Sequence, residues 1–232
     1  MRCFFGCIRI YTIGLVLRRI RQRVDILIEQ SDRRSCQESN NNVELMEIVS
    51  EFTRYSKNGV SMGQFGDLRF SYCVDFLTAV HDEDHLKVMA RHLVELVDQT
   101  ERGRNFDFCA CPKLGNTLLV AEVAVLLEKP LLFVRNSMVF GSFLEGVYER
   151  SATALLLDDV ASSGEQTYSS FMNLRKSGIQ PTSVAVLLDR AEGSASTVLK
   201  REGLQMHSCL SLTDEEIGKI SHGTGANTVS AR

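Results

Sequence analysis

The stretch Ala154 to Thr167, reading Ala-Leu-Leu-Leu-Asp-Asp-Val-Ala-Ser-Ser-Gly-Glu-Gln-Thr, constrains this chain more than any other. Its apolar run Ala154–Leu157 is short and unbroken, which suits a strand buried on both faces of a parallel sheet, although periodicity alone leaves a buried helix open. Length and the turn that follows favour a strand, predicted over Ala154–Asp158. Two adjacent carboxylates, Asp158 and Asp159, sit where that strand should emerge, and Val160 to Gly164 then form a small, hydroxyl-rich turn. In an open α/β sheet this is the ligand end.

The turn leads into a predicted helix, Glu165–Ser177, with apolar residues at Tyr168, Phe171, Met172 and Leu174 and a stop at Gly178 and Pro181. Ser163 and Gln166 match the capping-box spacing, so backbone amides around Ser162–Gln166 are expected to point outward at a helix N-terminus. Such amides, with the positive end of the helix dipole, bind phosphate. Carboxylates beside them repel a phosphate but accept hydrogen bonds from ribose hydroxyls, and the combination fits a sugar phosphate. The competing reading is a doubly wound fold whose acids merely cap loops.

The rest of the chain supplies a frame for that stretch. Helices are predicted near Val43–Tyr55, ended by Lys57-Asn58-Gly59, and over Asp84–Gln99, the latter with Leu86, Met89, Ala90, Leu93, Leu96 and Val97 on one face. Between them, Gly66-Asp67 is placed to turn between two short strands in Phe65–Asp75. His81, His85 and His92 read as solvated helix-end residues rather than metal ligands. From Phe106 onward strands and helices alternate. Strands are predicted at Phe106–Cys111, Pro130–Arg135, Ala154–Asp158, Ser183–Leu188 and Leu204–Leu210. Helices fall at Thr117–Leu127, Glu165–Ser177 and Ser194–Glu202. This alternation calls for a mostly parallel sheet covered by helices. A last helix is signalled by the capping-box spacing Thr213 to Glu216, and the tail from Gly218 is expected to fray.

At 232 residues and 44% hydrophobic, the chain can fill one α/β core, and a second large domain is not expected. The expected division is a basic extension and polar linker over 1–42, the α/β domain over 43–217 and a tail over 218–232. A net charge of −3 without a Lys/Arg stripe gives no sign of nucleic-acid binding. The apolar part of the arginine-rich start, Cys3–Leu17, is interrupted by Arg9 and short for a membrane span. It reads as a targeting peptide, a membrane-surface helix or extra residues outside the fold, and the last is favoured. Seven scattered cysteines without CxxC pairs fit reduced thiols in a cytoplasmic protein, with Cys109-x-Cys111 at a buried strand end.

Leu155–Gly164 resembles the phosphoribosyl-pyrophosphate signature of the type I phosphoribosyltransferases, two acids followed by a Ser/Thr-rich loop and Gly. Glu165 stands where that family usually has a second Gly. Three weaker matches point to the orotate phosphoribosyltransferases within it. Ser71-Tyr72-Cys73-Val74-Asp75 resembles a strand of their N-terminal hood. Pro112-Lys113-Leu114-Gly115 occupies the place of the pyrophosphate loop, and Asp189-Arg190-Ala191-Glu192 is similar to a segment whose Arg faces the pyrimidine.

The resemblance implies a type I fold, a mostly parallel sheet flanked by helices with a small hood. It also implies transfer of the phosphoribosyl group of phosphoribosyl pyrophosphate to a nucleobase, orotate first among them. Asp158 and Asp159 would then hold the ribose, and the segment Val160, Ala161, Ser162, Ser163, Gly164, Glu165, Gln166 and Thr167 the 5′-phosphate. Lys113, Leu114, Gly115 and Arg135 would hold the pyrophosphate, Arg190 the base, and Tyr72 the base-side wall or its support. Mg²⁺ is the implied cofactor, held by Asp158 and Asp159 through water, and a homodimer is the implied assembly.

One segment departs from the family. A strand ending in Phe133-Val134-Arg135 should lead into a long mobile loop bearing lysines and a His, yet Asn136–Gly146 carries no Lys, His or Arg. Such a loop fits either a weakened transferase or a nucleotide-binding regulatory protein, and its apolar residues suit a partner chain or an apolar substrate.

Overall fold

The computed structural model describes residues 42–61, 69–100, 105–112 and 114–221. Contacts divide the chain into Met1–Glu44 and Leu45–Arg232. The predicted Gly66-Asp67 turn, Lys113 and all of the arginine-rich start lie outside the described residues.

The second unit is built on a six-stranded sheet in the order β5-β4-β3-β6-β7-β8. Its members are β3 (Phe108–Cys111), β4 (Leu131–Val139), β5 (Ser142–Glu145), β6 (Thr153–Ala161), β7 (Gln180–Arg190) and β8 (Gln205–Leu212). All neighbours are parallel except β4 and β5. The Leu-Leu-Leu run lies in β6 at the centre, where residues alternate between two apolar layers. Leu155 and Leu157 face one core with Cys109, Cys111, Ala185 and Leu187. Leu156 faces the other with Ala110, Val184 and Val186. Burial on both faces is why these strands read as unbroken apolar runs rather than alternating ones.

Helices α3 (Glu83–Thr100) and α4 (Thr117–Leu126) supply Met89, Leu93, Leu119 and Val123 to the first layer. Helices α5 (Glu165–Lys176) and α6 (Ala195–Arg201) supply Phe171, Leu174 and Leu199 to the second. The chain therefore leaves β3 through α4 on one face and leaves β6 through α5 on the other. The crevice between the ends of β3 and β6 is the topological switch point, where open α/β sheets bind ligands. Beside this sheet stand helix α1 (42–51), the antiparallel pair β1 (Thr53–Ser61) and β2 (Arg69–Val74), the short α2 (Phe76–Ala79) and the closing helix α7 (Asp214–Ser221).

Several expectations are corrected. The first helix ends at 51, and Thr53–Tyr55 with Lys57-Asn58-Gly59 form β1; Gly59 adopts φ +67° in an irregular stretch of that pairing. Val43–Tyr55 looked helical throughout because Leu45, Ile48, Val49 and Phe52 keep a helical spacing across the boundary. His92 is buried rather than solvated, and His85 is half-buried with its ring edge-on to Phe52 at 5.3 Å. Gly218 to Ser221 is the last turn of α7, with Ser221 buried, so the chain is ordered four residues past the expected start of fraying.

The largest correction concerns Asn136–Gly146. It is not an open loop: β4 runs on to Val139, turns at Phe140-Gly141 and returns as β5, pairing Val139 with Ser142 and Phe133 with Glu145. Both turn residues have positive φ, +49° and +79°, as a two-residue hairpin of the right twist requires. Phe140 projects fully into solvent from the tip.

Candidate functional site

Strand β3 is laddered to β6 only as far as the pair Ala110 and Leu156, whereas β7 accompanies β6 up to Ala161 opposite Asp189. Asp158 and Asp159 thus lie inside β6, not at its mouth as expected, on a stretch whose β3 side is open to the 112–116 segment. That segment turns through a short 3₁₀ piece, Leu114–Asn116, into α4. Both acids are buried, with 2% and 9% of their surface exposed. The Asp158 Oδ1 accepts from the Asp159 N–H at 3.0 Å, and the Asp159 Oδ1 from the Val160 N–H at 2.7 Å. The Asn116 amide nitrogen donates to both of these oxygens, at 3.0 Å in the case of Asp159.

Beyond the acids the chain makes its tight turn. Gly164 sits at φ +79°, and a Cβ there would stand 2.6 Å from the Ala195 Cα. A Cβ on Gly193 would strike the Ser162 carbonyl. Two glycines therefore let the turn pack against the start of α6. The Ser162 carbonyl accepts from the Ala195 N–H at 3.1 Å and the Ser163 carbonyl from the Ser194 hydroxyl at 3.0 Å. Because a trans peptide sets its N–H opposite its C=O, the amides of Ser163 and Gly164 face away from α6.

The expected capping box is absent. Gly164 is the N-cap of α5, the Glu165 N–H reaches the Ser163 hydroxyl only at 3.5 Å, and Gln166 donates at 3.5 Å to the Pro112 carbonyl. The left-handed glycine takes the place in which Ser163 would have capped. Glu165 and Gln166 begin α5, with Gln166 exposed and Thr167 buried; Val160 is half-buried and Ala161 buried at the end of β6.

The cations divide differently from expectation. Arg135 lines a cavity of about 200 Å³ with Cys111, Pro112, Phe133, Asn136 and Gln166, near the turn but without the acids in its wall. Its Nε and Nη2 are paired with Glu145 across the hairpin. Arg190 is 1% exposed, donates to the Tyr72 carbonyl at 2.7 Å, pairs with Asp214 and lies 4.1 Å over the Phe70 ring. Its Nη1 and Nη2 are thus engaged within the protein, while its buried Nε has no hydrogen-bond partner. Asp214 also accepts from the amides of Ser71 and Tyr72 at 2.8 and 3.1 Å, tying β2 to α7. The Tyr72 ring lies tilted beside Tyr55, with ring centroids 5.2 Å apart, and covers Gly218, where a Cβ would come within 2.7 Å of it. Asp75 caps α2 by accepting from the Thr78 N–H at 3.1 Å.

Among the described residues no group of three or more His, Cys, Asp or Glu gathers to hold a metal. Two hard carboxylate donors without a third suit a Mg²⁺ that arrives on a polyphosphate and keeps most of its waters. Asn116 and Asp214 escaped the sequence reading. An Asn before a helix reads as an ordinary cap, and an Asp one residue into a capping box reads as helix-dipole acid.

The comparisons accord with this geometry. No family model matches the chain. It is 29% identical over 140 residues to the orotate phosphoribosyltransferase of Pyrococcus furiosus, covering 59% of this chain and 75% of that one. With the Cenarchaeum symbiosum orotate phosphoribosyltransferase it shares 27% identity over 188 residues, 78% of this chain and 92% of the relative. The crystal structure of the Aeropyrum pernix orotate phosphoribosyltransferase superposes with a TM-score of 0.63 at 26% identity, covering 78% of this chain and 99% of that one. In sequence and in fold the chain resembles the type I phosphoribosyltransferases. Its mixed and mostly parallel sheet flanked by helices matches the type I phosphoribosyltransferase architecture. Leishmania donovani UMP synthase shares the fold, with a TM-score of 0.66 at 21% identity over 80% of this chain and 39% of that one. Among the described residues, no helix is long and apolar enough to cross a membrane.

Proposed function

We propose that this chain transfers the phosphoribosyl group of phosphoribosyl pyrophosphate to a nucleobase, a pyrimidine and first of all orotate. The observation that carries the reading is the acid pair Asp158-Asp159 at the switch point, followed directly by a turn whose Ser163 and Gly164 amides face away from α6. The carboxylates would accept from the ribose 2′- and 3′-hydroxyls. Amides of the Ala161–Thr167 segment, with the N-terminus of α5, would hold the 5′-phosphate. Arg135, and Lys113 from the neighbouring loop, would face the pyrophosphate. Departure of pyrophosphate leaves positive charge on the sugar, so orientation and fixed charge do the catalytic work without a covalent nucleophile. Mg²⁺ bound with the pyrophosphate, next to Asp158 and Asp159, would neutralise charge on the leaving group. Arg190, whose Nε is left without a partner, would serve the base side of the site. The expected setting is a cytoplasmic homodimer.

Base-dependent release of pyrophosphate, assayed across orotate, uracil and the purines with Mg²⁺ present, tests the reading. Release with one base above the base-free rate supports it. Binding of the sugar phosphate without release for any base selects the second reading, a nucleotide-binding regulatory protein. One observation favours that alternative: the β4–β5 hairpin carries no cation beyond Arg135, and a missing transition-state donor typically costs about 10²–10³ in rate.

A further inference from the structure

Asn116 occupies the helix-start position of α4, yet its side chain makes no cap hydrogen bond there. Its amide turns instead to the acids of β6. The assignment of nitrogen and oxygen in that carboxamide is fixed by chemistry, since an ionised carboxylate only accepts and the group facing two of them must be the donor. Asn116 is 4% exposed, so this contact is made out of water, where a donor to a charged acceptor is held most strongly. Each Oδ1 it touches also accepts a backbone N–H, from Asp159 in one case and Val160 in the other. A carboxylate oxygen offers about two good acceptor directions, so both are filled by the protein itself.

We propose that Asn116 sets sugar affinity by standing in for the ribose hydroxyls, its amide occupying Asp158 and Asp159 until a ribose displaces it. The inference rests on the reading of these acids as the ribose-binding pair. A sugar diol brings donors of the same kind, and a hydroxyl that takes one of these Oδ1 atoms must remove a buried, charge-assisted contact. The phosphate arm docks elsewhere, at the turn Ser162–Gly164 one step further along the chain, whose carbonyls are turned to Ser194 and Ala195 and whose Ser163 and Gly164 amides face the other way. The two halves of one ligand are therefore under separate control, and Asn116 acts only on the sugar half.

The test is calorimetric titration of Asn116→Ala and of the parent protein with ribose 5-phosphate and, separately, inorganic phosphate. The variant should bind ribose 5-phosphate about tenfold or more tightly, one charged hydrogen bond's worth, with unchanged phosphate affinity. The gain should vanish in a background of Asp158→Asn with Asp159→Asn. A loss of folding would weaken both ligands, so a gain confined to the sugar cannot arise from damage; thermal melts of Asn116→Ala and Asn116→Ser verify this. Equal ribose 5-phosphate affinity in parent and variant, or equal changes for both ligands, overturns the inference while leaving the acids' assignment intact. Binding of ribose 5-phosphate no tighter than phosphate in all proteins overturns the assignment and the inference with it.

Discussion

Each of Asp158 and Asp159 accepts from the N–H of the residue that follows it and from the Asn116 amide. Replacing both with Asn keeps the shape and removes the charge. Ribose 5-phosphate affinity should then fall by about a hundredfold or more, because hydrogen bonds to charged groups contribute about 1.5–3 kcal/mol each. Inorganic phosphate binding should persist, and calorimetry distinguishes the two. Arg190 makes a different kind of prediction. Removing its counter-ion with Asp214→Asn leaves a buried guanidinium underpaired and should cost about 3 kcal/mol or more of stability in urea titration. The same protein offers an internal control for strain. Gly164 and Gly203 have nearly equal φ, +79° and +78°, but only Gly164 faces backbone within 3 Å. Gly203→Ala should cost about 1 kcal/mol from the left-handed backbone alone, and Gly164→Ala clearly more, with loss of phosphate binding.

At the scale of elements, β6, β7, α3 and α5 were legible because their burial follows from residue type: Leu-Leu-Leu and Val-Ala-Val-Leu-Leu admit few other places than a two-faced sheet. Gly178 stopped α5 as read, at φ +85° with the Ile179 N–H returning to the Leu174 carbonyl. The capping box of Thr213 and Glu216 formed too, the two side chains and amides bonding reciprocally at 2.8 and 3.2 Å. What failed was context. Ser163 and Gln166 have the right spacing for a box, but packing of the turn on Ala195 demands a left-handed glycine instead. The β4–β5 hairpin was illegible because Phe140-Gly141 lacks the Asn or Asp that usually marks such a turn. Asn116 and Asp214 act across long sequence separations, which no local pattern records. If the hairpin is a firm ribbon, the amides of Ser142–Glu145 should exchange with deuterium as slowly as other edge-strand amides; immediate exchange would restore the open-loop picture.

For the whole molecule, acid and base limits of stability follow from groups far from the site. Backbone N–H donors hold Asp107 (from Thr153), Asp82 (from His85) and Glu216 (from Thr213) below the usual carboxylate range. A lowered folded pKa stabilises above the unfolded value near pH 4 and loses that contribution as pH falls through the folded one. Acid unfolding should therefore begin below about pH 4. At the other end, burial pushes the thiols of Cys109 and Cys209 up to about 12. A raised folded pKa stabilises below the unfolded thiol value and fades as pH rises toward the folded one, so circular dichroism should show loss of structure above about pH 9. At pH 8, iodoacetamide should leave both thiols unmodified, as mass spectrometry of peptides would show.

The paired ribbon of β4 and β5 carries one more chemical consequence. The hairpin is paired at its base, Phe133 with Glu145 and Val134 with Leu144, and again at its tip, Val139 with Ser142; a ribbon held at both ends makes a poor cover, so an oxocarbenium-like sugar formed beside Asp158 and Asp159 would meet bulk solvent as readily as a base. Phosphoribosyl pyrophosphate incubated with the protein and Mg²⁺ alone should then hydrolyse slowly to ribose 5-phosphate and pyrophosphate in equal amounts, followed by phosphorus NMR. Complete stability of the compound over the same period, under conditions where base-dependent turnover proceeds, would show that some other part of the chain keeps water out.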